Sequence, residues 1–287
     1  MMPLSITRIV RHILPAKLRV RLRSSATVRR IAARLLSGTA HCPFPDSEFQ
    51  LFFDGYRNIG FGLNVSHFEE QEQRLVRQLL IQNRPKVLWD IGANIGIWSL
   101  FLTGLSTPDA EIRCFEPDPE NLRLLQLNMN KNRIGNWVIR PVAVSDHEGS
   151  DSFYSDPVTG ATGSLESSSD FIGKFYNAPR QQFPVQITTV DSEVASGARP
   201  PEFIKIDVEG HELAVLKGAL KTLKETRPLL ILETSHRHNE VSEFFNAIDY
   251  KLIDLEGRPV DSPQFNTIAI PREAELPKSA SAPGLHR

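Results

Sequence analysis

The run Asp207-Val208-Glu209-Gly210-His211-Glu212 puts three carboxylates and an imidazole within one short turn, a density of proton-handling groups suited to general acid–base work. It follows the apolar stretch 203–206 and precedes Leu213, Leu216, Leu220 and Leu223 at helical spacing, which places the cluster between a strand end and a helix start. Asp207 and Glu209 are two apart on that strand end and so point the same way. One of them could take a proton from a substrate hydroxyl or polarise the histidine. At a helix N-terminus the dipole disfavours imidazolium, so His211 is expected to be neutral and able to accept a proton, or else to be plain helix-start packing.

A second constellation lies upstream. Val87, Leu88, Trp89 and Ile91 form a β-favouring run that ends in Gly92-Ala93-Asn94-Ile95-Gly96 before an apolar helix over 97–105. Glycine lets the backbone bend and a ligand come close, and the helix start offers unpaired N–H groups to a carboxylate or phosphate. A dinucleotide fingerprint needs a third glycine to lay a pyrophosphate on the turn. Bulky Ile97 and Trp98 follow instead, which favours a smaller anionic group. Glu116, ending a second strand over 111–115, can accept both hydroxyls of a ribose. That spacing serves NAD and S-adenosylmethionine alike.

The elements that must hold these residues repeat as strand, helix, strand. Strands are expected at 87–91, 111–115, 137–144, 203–208 and 229–232, with helices over 69–83, 97–105, 121–132, 213–223 and 241–248, and closing strands at 251–255 and 267–270. Such alternation demands a mostly parallel sheet with right-handed crossovers. Ligands of an open α/β sheet lie beyond the carboxyl ends of its strands. There this chain collects Asp90 to Asn94, Glu116, Ser145 and Asp146, Asp207 to His211, and Glu233 to His238. The Ser- and Gly-rich stretch 156–184 is too long for a plain connection in a compact domain and reads as a mobile lid or a disordered loop. Aromatic and glycine residues over 49–68 read as packing over one end of the sheet, with acceptor binding as a second role.

Composition bounds the rest. A chain of 287 residues with 40% hydrophobic content supports one main domain, expected over 46–271, after a basic, partly helical extension at 1–45 and before a loose tail at 272–287. The chain carries 33 Lys and Arg against 34 Asp and Glu; nine of the basic residues and none of the acidic ones fall within 1–45, leaving 24 against 34 for the remainder. A body of about −10 argues against nucleic acid as a partner. Cys42 and Cys114 give neither a disulfide framework nor zinc spacing, which fits a reducing cytoplasm. No run of 18 apolar residues occurs, but the first 40 interleave apolar and basic positions, as a segment lying on an anionic membrane surface or a transit peptide would.

Taken in order, Asp90-Ile91-Gly92-Ala93-Asn94-Ile95-Gly96, Phe115-Glu116-Pro117 and Phe203-Ile204-Lys205-Ile206-Asp207-Val208-Glu209-Gly210-His211-Glu212 resemble the FkbM family of S-adenosylmethionine-dependent methyltransferases, over roughly residues 65 to 250. The resemblance implies the class I methyltransferase fold, a Rossmann-like α/β seven-stranded, mostly parallel sheet flanked by helices, its last strand antiparallel. It implies O-methylation, commonly of a sugar or polyketide hydroxyl, with S-adenosylmethionine as cofactor. By position, Gly92, Asn94 and Gly96 would line the methionine end of that cofactor, Asp90 would orient the turn, Glu116 would hold the ribose, and Ser145 and Asp146 would border the adenine. Asp207, Glu209 and His211 would be the catalytic group, with Asp207 or Glu209 also able to face the sulfonium. Glu233, His236 and His238 would finish the pocket for a small-molecule or glycan acceptor.

No metal is expected, since no spacing requires one. The rival is Mg²⁺ on Asp207, Glu209, Glu233 and a histidine, lowering the hydroxyl pKa directly. Two other functions stay open at this point: an NAD-linked oxidoreductase, and a non-catalytic membrane-associated module acting through residues 1–40. The acceptor and the oligomeric state are not written in the sequence.

Overall fold

The computed structural model describes residues 25–168 and 170–275. Helix α1 (Ala26–Leu36) leads into the hairpin β1 (Thr39–Pro43) and β2 (Gln50–Asp54), then α2 (Ile59–Asn64) and α3 (Glu70–Asn83). Two βαβ units follow: β3 (Val87–Ile91), α4 (Ile97–Leu105), β4 (Glu111–Phe115), α5 (Pro119–Lys131) and β5 (Trp137–Arg140). An inserted segment holds β6 (Ala143–Val144), β7 (Gly149–Ser155), α6 (Phe171–Tyr176), β8 (Gln181–Thr188) and α7 (Val190–Ala195). The chain then returns through β9 (Phe203–Ile206), α8 (Glu212–Lys217), α9 (Leu220–Thr226), β10 (Leu229–Glu233), α10 (His238–Ala247), β11 (Tyr250–Ile253), β12 (Pro259–Val260) and β13 (Asn266–Pro271).

The main sheet runs β12-β11-β13-β10-β9-β3-β4-β5. Strands β5, β4, β3, β9 and β10 are parallel, and β13, the last, is antiparallel to both its neighbours. Leaving aside the two-residue β12, this is the seven-stranded class I methyltransferase arrangement. The chain leaves β3 toward β4 and later returns on its other side as β9, so the order reverses between β3 and β9 and opens a crevice at their carboxyl ends.

Helices cover both faces because alternate strand residues are apolar on both sides. Leu88 packs in the core shared with Leu75 and Leu79 of α3 and Leu100 of α4, whereas Val87, Trp89 and Ile91 join Leu213 and Leu216 of α8 and Phe245 of α10. Each such fully buried side chain stabilises the fold by about 1.5–3 kcal/mol. The two layers hold the strand tips rigidly enough to carry a site.

Four expectations change. The strand at 137–144 is broken: Pro141 has no N–H to continue the ladder, so β5 ends at Arg140 and β6 joins a separate three-stranded sheet, β6-β8-β7. The helix at 213–223 divides at Gly218, where a Cβ would come within 2.0 Å of the Ser145 carbonyl oxygen. The described residues of the stretch 156–184 are structured, with a turn built on Asp156, whose Oδ1 accepts from the amides of Val158 and Thr159, and with helix α6. The domain also begins before residue 46. The Asn128 side chain accepts from Phe52 N at 2.7 Å and donates to the carbonyls of Phe52 and Ile95, Asn132 holds Gln50 the same way, and Cys42 and Phe44 are buried. The hairpin is thereby part of the body. Both cysteines are buried and neither is in a disulfide. The parts of the expected extension at 1–24 and of the expected tail at 276–287 lie outside the described residues. Among the described residues no helix is long and apolar enough to cross a membrane.

Candidate active site

The glycine turn leaves β3 with Gly92 at φ +78° and Asn94 at φ +52°. A Cβ on Gly92 would meet the Asp207 carbonyl oxygen at 1.8 Å, so glycine is required there by the tip of β9 pressing on the turn. Gly96, at φ +93°, caps α4 with its Cβ position against Leu125 and Trp137. It serves packing and does not line the pocket as expected. Glu116 is 4% exposed at the end of β4. Its Oε2 accepts from Asn94 N and its Oε1 from Asp118 N, both at 2.8 Å. Burial, reinforced by Asp118, pushes its pKa up to about 8. The two amides fix the carboxylate, and a second lone pair on each oxygen remains for a diol.

Asp118 begins α5 as its N-cap, accepting from Glu120 N and Asn121 N. It also pairs with Arg57 at 2.8 Å and accepts from Ser155 Oγ. Burial would raise its pKa, but these partners outweigh burial and hold it below the usual value. This pair draws the segment after β2 and the loop after β7 toward the end of β4.

The loop after β7 closes over the turn. Gly160 O accepts from Asn94 Nδ2 at 2.8 Å and from Asn121 Nδ2 at 3.1 Å, and Ser164 Oγ donates to the Glu209 carbonyl at 2.9 Å. The loop is thus bonded to the tips of β3 and β9 and to α5. Beneath it lies a cavity open to solvent on one side. Gly92, Asn94 and Glu116 line one end, Phe115, Val142, Val144, Phe153 and Leu165 give it apolar walls, and Asp207, Glu209 and His211 border it.

Around β9 the carboxylates converge. Asp207, Glu209 and Glu233 each offer an oxygen within 4.8 Å of the others. Lys205, 5% exposed, is the cation at their base: its Nζ donates to Asp207 Oδ2 and to Gly92 O, both at 3.1 Å, and lies 3.6 Å from Asp90 Oδ1. Burial alone would lower the lysine pKa, but Asp207, Asp90 and Glu69 more than offset it and hold it above the usual value. Asp90 is wholly buried, accepts from Ser99 Oγ at 2.6 Å and is raised by that burial. Burial also lifts Glu209 to about 8 and Glu233 to about 9, with Asp207 adding to both. Because the neutral acid is favoured in a desolvated, like-charged group, this corner holds protons near neutral pH.

Sequence reasoning missed two members. Lys205 reads as one polar residue inside an apolar strand, and only the pairing of β3 with β9 sets it opposite Asp90. Glu69, at φ +46° before α3, accepts from Trp98 Nε1 at 2.6 Å, and burial with Asp207 raises it to about 7. The signal was an acid ahead of a helix, which reads as capping.

The remaining expected residues fall in different places. His211 Nδ1 lies 2.9 Å from Glu166 Oε1 and Nε2 lies 2.9 Å from Ser145 Oγ. A carboxylate accepts, so Nδ1 donates to Glu166, and the second ring nitrogen meets the serine hydroxyl. Both nitrogens are engaged. Ser145 is buried behind the pocket wall formed by Val142, Ala143 and Val144, and half-exposed Asp146 pairs with His147 at 2.9 Å. Neither lines the cavity. His236 lies against Gly210, and His238 Nε2 hydrogen-bonds the Thr234 carbonyl at 3.1 Å; of the expected acceptor residues only Glu233 joins the acidic corner.

These residues fit an adenosyl donor on structural grounds. A diol acceptor at the tip of β4, an apolar slot beyond it and carboxylates beside the turn match in order a ribose, a flat base and a cationic sulfur. The comparisons agree. The model of the methyltransferase FkbM domain matches residues 90–258. The hexuronic acid methyltransferase AglP of Haloferax volcanii is 31% identical over 164 residues, covering 56% of this chain and 61% of that protein. The 2-O-methyltransferase NoeI of Sinorhizobium fredii is 28% identical over 157 residues, covering 52% and 63%. The chain thus spans about three-fifths of the length of these relatives. A crystal structure of methyltransferase FkbM from Methylobacillus flagellatus is 20% identical, with a TM-score of 0.46 over 74% of this chain and 52% of that one.

Proposed function

This chain belongs to the FkbM family of S-adenosylmethionine-dependent methyltransferases, and we propose that it methylates a hydroxyl of a sugar or glycan acceptor. The observation that carries this reading is the placement of Glu209, protonated more readily than an ordinary carboxylate, on the border of the cavity that Glu116 lines, with Glu233 next to it in the acidic corner. The donor supplies a methyl carbon already activated by positive sulfur. The protein's task is then to align an acceptor oxygen and remove its proton.

Glu209 is the base in this reading. It borders the cavity and its pKa of about 8 suits proton removal near neutral pH. Asp207, held by Lys205, faces the cationic centre and orients the turn through that lysine. Glu233 and Glu69 accept further hydroxyls, which a polyhydroxylated ring can supply and a flat phenol cannot. His211 holds the loop through Glu166 and is a positioning residue.

The names of two relatives support the acceptor class: one acts on a hexuronic acid and the other is a 2-O-methyltransferase. The test is transfer of labelled methyl from S-adenosylmethionine to a panel of neutral and uronic mono- and oligosaccharides, with the methylated position read by mass spectrometry. Labelled NAD serves as the competing ligand. Retention of NAD with no uptake of the methyl donor, or label on nitrogen or carbon only, would overturn the reading.

A second reading has one observation behind it. The oxygens of Asp207, Glu209 and Glu233 are close enough to share a divalent cation, which would acidify the acceptor hydroxyl directly. Turnover after EDTA treatment, with and without added Mg²⁺, separates the two.

A further inference from the structure

Helix α1 turns large apolar residues away from the protein. Its N-cap is Ser25 and none of its residues is buried. Ile31 and Leu35, one turn apart, are 54% and 67% exposed, and Arg30 and Arg34 stand exposed beside them. Val28, Ala32 and Leu36 take the half-buried side. Helix α6 repeats the pattern, with Phe171 and Phe175 exposed, their ring centroids 4.6 Å apart, and exposed Lys174 between them. The two helices are joined: Arg29 donates to the carbonyls of Tyr176 and Asn177 at 2.7 and 3.4 Å.

We infer that α1 and α6 form a docking face for a lipid bilayer with anionic headgroups. Outward-facing apolar side chains on a convex helix have no groove to fill, but they can enter the boundary between headgroups and acyl chains while neighbouring cations meet the phosphates. The charge is one-sided. No acidic residue occurs from 1 to 45, whereas the rest of the chain is strongly acidic, so an anionic surface attracts this face and repels the others. Helix α6 holds no acid, and Asp170 before it is occupied in capping it. Residues 1–24, outside the described residues, continue the same composition with Arg8, Arg11, Lys17, Arg19, Arg21 and Arg23 among Ile6, Ile9, Ile13, Leu14 and Leu18. The inference is independent of the methyl-transfer reading.

Sedimentation of the full chain with vesicles of phosphatidylcholine alone, and of phosphatidylcholine with phosphatidylglycerol, tests it. The protein will pellet with the anionic vesicles only and will be released by about 0.5 M salt. Each arginine beside an anionic surface is worth roughly fivefold in partitioning, so Arg30→Gln with Arg34→Gln should weaken binding about 25-fold. Phe171→Ser with Phe175→Ser should also weaken it. None of these residues lines the cavity, so donor uptake stays unchanged and is measured on the same samples. Should the phenylalanine pair disturb the fold, the exposed arginine pair still decides. Equal pelleting with neutral vesicles, no pelleting with either, or binding insensitive to the arginine pair would overturn the inference; a protein or nucleic-acid partner for this face would give the second of these.

Discussion

Lys205 donates to the carbonyl of Gly92 at 3.1 Å, so the strand that carries the acidic corner is bonded to the turn that carries the donor cradle. The same ammonium stands against Asp207 and Asp90. One buried cation therefore sets the distance between the two halves of the site.

Replacing that cation should be costly. Lys205→Met leaves Asp90 buried beside Asp207 with no counter-charge, and removing one partner of a buried pair destabilises by about 3–5 kcal/mol. Chemical denaturation will show this loss, and Lys205→Met with Asp207→Asn will recover part of it. Equal stability of Lys205→Met and the wild type would contradict the arrangement.

Glu116→Ala removes the carboxylate that Asn94 N and Asp118 N share. The buried Asp118 amide is orphaned, at about 1–3 kcal/mol, the half-buried Asn94 amide loses its acceptor as well, and the diol partner is lost. Calorimetry should find the affinity for S-adenosylmethionine about 10–100-fold lower. Glu116→Asp, too short to span both amides, should fall between.

Glu209→Gln keeps the shape of the corner and removes the base. The rate constant kcat should drop about 10²–10³-fold, with donor affinity within a few-fold of wild type. In the wild type, kcat should rise with pH and level off above about 8, because the base works only when ionised. A flat profile would move the role to another residue.

Stability should respond to pH in the opposite sense. Glu69, Glu116, Glu209, Glu212 and Glu233 are all raised, to about 7, 8, 8, 7 and 9. Between their ordinary values near 4.5 and these values the folded chain binds more protons than the unfolded one, so its stability falls as pH rises. The contribution is fully present below about 4.5, shrinks as pH rises from there, and is gone once pH passes the folded values of about 7 to 9. Thermal melting between about pH 6 and pH 9 should show a declining Tm, and Glu233→Gln should flatten the decline.

Metal removal gives a separate test. With Lys205 as the resident cation, EDTA should leave turnover unchanged and Mg²⁺ should raise it less than twofold. A strong Mg²⁺ requirement would favour the shared-cation reading of Asp207, Glu209 and Glu233.

The parts of this molecule readable from its sequence were those set by local pattern. Strand and helix periods placed β3, β4, β9 and β10, and the polar strand tips placed Glu116, Asp207 and Glu209, because ligands of such sheets collect at those tips. What escaped depends on contacts between distant segments. Gly96 and Gly92 look alike in sequence, yet one packs on Leu125 and the other yields to the tip of β9. His211 became engaged because Glu166, 45 residues earlier, reaches its ring. Helix 213–223 is continuous by period, yet it divides at Gly218, where the backbone at Ser145 comes too close for any side chain. Strand β1 was assigned to the extension because nothing local announces that it will pair with β2, the strand that Asn128 binds.

The bonds from Asn94 and Asn121 to the single carbonyl of Gly160 make one asparagine answer to two elements. Asn94 gives its main-chain N–H to Glu116 and its side chain to Gly160, so any shift of the segment over the cavity is felt at the carboxylate that would grip the ribose.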